Sequence, residues 1–106
     1  QLEWFVHQPL AVKAGIAPAV TADLAQGRHP AGMAEDEEIV YQFCKEVHET
    51  KTVSDSVFKA AVDKFGERGV IDLIGLTGYY SMLAMVLNVA QQPLPGGVPP
   101  PLPALK

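Results

Sequence analysis

The longest apolar pattern in the chain covers residues 65–91, FGERGVIDLIGLTGYYSMLAMVLNVAQ, and beyond Glu67 and Arg68 it holds a single charge, Asp72. At helical periodicity this stretch has no polar face, so it belongs in a protein core or a bilayer. It is just long enough to span a membrane. Against a span stand Asp72 and the scatter of Gly75, Thr77, Gly78, Ser81 and Asn88, since an intramembrane carboxylate needs a partner or a pathway. The three segments before it are amphipathic, and each needs an apolar surface to lie on. The pattern predicts an all-α domain organised around a long, buried central helix.

The earlier segments punctuate themselves. Residues 2–14 place Leu2, Phe5, Val6 and Leu10 near helical spacing, and Gly15 supplies the stop. Pro9 within this segment predicts a kink or a local helix start. Pro18 suits the first turn of a second, short helix over 17–26, which Gly27 closes. A third helix begins in the acidic run Glu35-Asp36-Glu37-Glu38, where negative charge suits the positive end of the helix dipole. Its apolar stripe is Ile39, Val40, Phe43 and Val47. Thr52 and Asp55 have capping-box spacing, with Ser54 as the competing cap. A fourth helix then turns Val57, Phe58, Ala61, Val62 and Phe65 inward, and Gly66 and Gly69 bracket its connection to the central helix. The helical domain thus covers 1–91. Residues 92–106 form a Pro-rich extended tail, whose Val98, Leu102 and Leu105 are expected to be buried across a neighbouring subunit.

The totals add partners and compartment. A chain of 106 residues, 48% hydrophobic, forms one domain with a modest core, so an all-apolar helix calls for a second subunit to cover it. A net charge of −4 without a basic cluster argues against nucleic acid. One cysteine excludes an intrachain disulfide framework, and no secretory pattern opens the chain. The expected compartment is the cytoplasm. The chain opens with helical character already under way, which reads as a start within an element.

Few residues offer chemistry. Glu3 and His7 stand four apart, so on a helix they share one face. A carboxylate beside an imidazole suits acid–base work, although such spacing alone reads equally as a surface pair or a histidine packed on Trp4 and Phe5. Cys44 and His48 are also four apart, and a lone cysteine beside an apolar stripe reads as a small core hydrophobe. Asp72, Tyr79 and Tyr80 need polar partners if buried. The acidic run reads as a helix start and not a metal site, since nothing nearby supplies further ligands. Gly75 and Gly78 read as positions of close helix packing and not as a phosphate loop.

Three stretches, EWFVHQPLAVKAG, FGERGVIDLIGLTGYYSMLAMVLN and PLPGGVPPPLP, together resemble the carboxymuconolactone decarboxylase family of the alkylhydroperoxidase D-like superfamily. The resemblance implies an all-α fold of helical hairpins, assembled as a trimer or a hexamer, with this chain matching the C-terminal part of a typical member. Peroxidase members carry Cys-x-x-Cys-x-x-x-His on the active-site helix. Here His7 matches the histidine, and Glu3 stands where the second cysteine would be. Without that cysteine a dithiol–disulfide cycle cannot run. The resemblance therefore implies acid–base decarboxylation of a small lactone acid by Glu3 and His7. It makes Trp4, Tyr79 and Tyr80 candidate pocket walls, with no metal and no cofactor. The alternatives are a peroxidase-like antioxidant and a non-catalytic oligomeric subunit that binds small molecules or serves as a scaffold.

Overall fold

The structure, a computed structural model, describes residues 1–104; the expectation for Leu105 lies outside them. Among the described residues there are four α-helices and no strand: α1 (Leu2–Lys13), α2 (Pro18–Ala25), α3 (Glu35–Thr50) and α4 (Asp55–Val89), followed by a 3₁₀ turn, Pro95–Gly97. The all-α expectation is met. The chain forms two compact units, residues 1–33 with 84–104, and residues 34–83.

In the first unit α1 contains Pro9 within its span, so the Phe5 carbonyl lacks its usual helical donor. Pro18 opens α2 at its first turn, and Gly27 follows it at φ 68°, a value that glycine adopts without penalty. Val20 and Thr21 are buried. The Thr21 hydroxyl donates to the Pro18 carbonyl at 3.0 Å and accepts from Gln8 Nε2 at 3.2 Å, so the buried polar group on α2 is tied to α1. The tail returns to the start of α1. Gln1 Nε2 donates to the Leu102 carbonyl at 3.1 Å, and Leu102 N–H donates to Gln1 Oε1 at 3.0 Å. Between Pro99 and Pro103 only Leu102 has a main-chain N–H, because the other residues are prolines. That sole donor is the one used.

In the second unit α3 starts as its charges dictate. Glu37 Oε2 accepts from the Ala34 N–H at 3.1 Å, and Asp36 Oδ1 accepts from the Glu37 N–H at 2.9 Å, so carboxylates occupy the orphan donors of the first turn. At the other end Lys51 turns left-handed (φ 66°). Ser54, and not Thr52, caps α4: its hydroxyl accepts from the Val57 N–H at 3.4 Å, while Glu46 Oε2 holds the Ser54 N–H at 2.7 Å. Helix α4 has two arms, because Gly66 (φ 73°, ψ 170°) leaves helical geometry between them. Gly69, one turn further on, is needed for another reason. A Cβ there would collide with that of Phe65.

Phe43, Ala61 and Val70, one from α3 and one from each arm of α4, make the buried core, with Ile39, Val47, Val53, Val57, Val62 and Leu73 packed around it. Phe58, expected to face inward, is 48% exposed. Val57, Ala61 and Val62 supply the first arm's contacts to the core.

The larger correction concerns the central helix. Its second arm is not buried. Val70 and Leu73 meet the core, but Ile71, Ile74, Leu76, Tyr79 and Met82 are exposed, as are Met85, Val86 and Val89 in the last turns. The physical reason is supply. A helix apolar on all sides needs neighbours on all sides, and within this unit only α3 and the first arm are present to cover it. This arm is long and apolar enough to cross a membrane by length and composition. Gly75 and Gly78 lie on its exposed side. A Cβ at either would meet nothing within 4 Å, so packing inside the chain does not require them, and each weakens the helix by about 1 kcal/mol relative to alanine.

Candidate functional site

The first turns of α1 carry Glu3, Trp4 and His7. Because α1 is continuous here, the four-residue step puts the imidazole over the main chain one turn back. His7 Nδ1 lies 2.8 Å from the Glu3 carbonyl oxygen. A carbonyl only accepts, so Nδ1 carries the hydrogen, and a neutral ring then has its lone pair at Nε2. This hydrogen bond fixes the tautomer. The residue that fixes it is Glu3, but through its main chain and not through its carboxylate.

The carboxylate is placed differently. Glu3 Oε1 is buried and has no hydrogen-bond partner. An unpartnered buried carboxylate oxygen is costly in a folded protein and is found where a ligand or a proton completes it. Trp4, beside it in sequence, is half-buried.

Tyr79 and Tyr80 belong to the second unit, whereas Glu3, Trp4 and His7 belong to the first. The two tyrosine rings pack edge to face, with centroids 5.4 Å apart and an interplanar angle of 82°. Tyr79 is 52% exposed and, with Ile71, Asp72, Gly75 and Leu76, lines an open groove of about 470 Å³ on the outer face of α4. The five sequence candidates thus form two groups, one on α1 and one on α4.

A further polar cluster ties α3 to α4. His48 Nε2 lies 2.7 Å from Thr77 Oγ1 and 3.5 Å from Ser81 Oγ. The Ser81 hydroxyl donates to the Thr77 carbonyl at 2.7 Å, so its hydrogen is not directed at the imidazole. Burial pushes the Cys44 thiol up from its ordinary range, and a hydrogen bond with Thr77 opposes this only in part. Sequence reasoning found Cys44 and His48 but not Thr77 and Ser81. The available signal was their own four-residue spacing as hydroxyl residues inside an apolar run.

A raised thiol holds less thiolate at neutral pH, and the thiolate is the nucleophile. Alkylation of Cys44 by iodoacetamide at pH 7 is therefore expected to run slower than that of an unstructured peptide cysteine, and to catch up on denaturation. A native rate equal to or above the peptide's would show an activated cysteine instead. Among the described residues no group of three or more His, Cys, Asp or Glu side chains is placed to hold a metal ion. The chain matches no protein-family model, no curated protein and no solved structure.

Proposed function

We propose that this chain is a carboxymuconolactone decarboxylase-like protein that removes CO₂ from a small lactone acid by acid–base chemistry at Glu3 and His7. It works without a cofactor, as a cytoplasmic homo-oligomer, a trimer or a hexamer. The observation that carries the reading is the buried, unpartnered Oε1 of Glu3 one helical turn from an imidazole whose tautomer is fixed at Nδ1. When CO₂ leaves, the bonding electron pair stays on the substrate carbon as an enolate. His7 in its protonated form delivers a proton from Nε2 to that carbon and is recharged from solvent. Glu3 Oε1 accepts a hydrogen bond from a donor on the ligand, which gives the buried oxygen its missing partner. Trp4 forms part of the pocket wall.

The test is CO₂ release from a γ-lactone acid by the purified protein, with hydroperoxide consumption measured in parallel. Glu3→Gln is expected to lower decarboxylation by about tenfold, since it keeps an acceptor but loses the charge-assisted part of the bond. A wild type inert towards both substrates would overturn the catalytic reading. The weight would then pass to a non-catalytic oligomeric binding or scaffold subunit, a reading that the exposed apolar face of α4 favours.

A further inference from the structure

We infer that Val98-Pro99-Pro100-Pro101-Leu102-Pro103 is a docking segment for a partner protein whose aromatic-lined groove reads a left-handed polyproline helix, the groove of a WW domain. This goes beyond the catalytic reading and stands without it. The first observation is conformation. Proline fixes its own φ near about −65° and pushes the residue before it into extended backbone. Val98, Pro99, Pro100 and Leu102 each stand before a proline. Val98 has φ −66° and ψ 149°, close to the polyproline helix at about −75° and +145°. The segment therefore gives up little freedom when such a groove takes it, which is where preorganised ligands gain affinity.

The second observation is what the segment presents. A polyproline helix has three residues per turn, so in that form Pro99 and Leu102 share one ridge and Pro100 and Pro103 the next. Two adjacent ridges at this repeat are what a groove for Pro-x-x-Pro sequences takes. Pro99, Pro100, Pro101 and Pro103 are exposed, and Leu102 is half-buried. Among the described residues the carbonyls of Val98, Pro99, Pro100 and Pro101 accept no main-chain hydrogen bond. They stay available to the indole N–H and phenol O–H donors of an aromatic groove.

The third is how lightly the segment is held. The main chain bends at Pro101 and Leu102, and the two hydrogen bonds between Gln1 and Leu102 clasp it there. Both bonds are exposed, so water replaces them readily when the segment straightens. Composition separates this partner from a neighbouring copy. An arm that lies on another subunit needs apolar side chains at any spacing, whereas four prolines in six residues specify a backbone conformation. Recognition of that conformation is the property that a polyproline groove supplies.

The test is titration of the unlabelled full chain into a purified, isotope-labelled WW domain of the kind that takes Pro-Pro-Leu-Pro peptides, followed by NMR. Saturable shifts at the aromatic residues of the groove are expected. Pro100→Ala/Pro103→Ala is expected to weaken binding by about tenfold, because each lost proline returns freedom to the unbound segment. Both positions lie outside the four helices, so helical circular dichroism is expected to be unchanged. Pro93→Ala, outside the segment, is expected to bind like the wild type. Gln1→Ala opens the clasp and is expected to bind as well as the wild type or more tightly. No saturable binding by the wild type, or equal binding by the double variant, would overturn the inference. Weaker binding by Gln1→Ala would overturn it too, by showing that the bend and not the polyproline helix is recognised. So would a wild type that self-associates in sedimentation and a double variant that does not, which would assign the segment to a second copy.

Discussion

Turnover of a γ-lactone acid is expected to fall by about 10²–10⁴-fold when His7 becomes alanine, the usual worth of a positioned proton donor or acceptor. The size follows from what the imidazole does that water cannot. Its Nδ1 is held at 2.8 Å from the Glu3 carbonyl, so Nε2 presents in one orientation without further ordering. Pro9 contributes to the setting, since it leaves the Phe5 carbonyl short of a donor one turn away. The loss is expected in kcat, because a proton moved in the transition state is absent from the ground-state complex. His7→Gln is a useful companion. It keeps a polar side chain of similar length but has no group to relay a proton, and it is expected to be nearly as slow as alanine. An active wild type whose kcat is unchanged by His7→Ala would remove His7 from the mechanism.

How much of this was visible in the sequence depends on whether a feature is local. Pro18 and Gly27 mark the ends of α2, and the acidic run marks the start of α3, because caps and turns act within a few residues. Phe43 and Ala61 were legible as core from helical spacing alone. The exposure of the second arm of α4 was not. Hydrophobicity states that a surface needs covering but not which chain covers it, so an interface and a core read alike. Phe58 is a second miss: it stands half-exposed although Ala61 and Val62, one turn further along the same arm, both meet the core.

The candidate site divides the same way. Four-residue spacing puts His7 one turn from Glu3, but it cannot tell a carbonyl from a carboxylate as the ring's partner, because both lie within reach one turn back. The rotamer makes that choice. Tyr79, a candidate pocket wall, lines the outer groove of α4. Its position on the exposed side follows from Val70 and Leu73 taking the inward side of the helix.

Phe43→Ala is expected to destabilise the fold by about 3–5 kcal/mol. Phe43 is only 1% exposed and is the largest fully buried side chain. It packs with Ala61 and Val70, so it joins α3 to both arms of α4 at one point. The cavity left behind has little means of collapse. Ala61 has no side chain to move into it, and Val70 is β-branched and stiff at χ1. Single domains are stable by only about 5–15 kcal/mol, so the loss is a large share of the total. With a urea slope of about 1–3 kcal/mol/M, the unfolding midpoint is expected to drop by on the order of 1–5 M at fixed protein concentration, with the slope unchanged. Holding concentration fixed matters because any self-association would also add apparent stability by mass action. Phe58→Ala is the internal control: it removes the same side chain from a half-exposed position and is expected to cost less than half as much. Equal losses at the two positions would mean that Phe58 is covered in the working protein. A loss below about 1 kcal/mol at Phe43 would mean that the α3–α4 core does not hold this fold together.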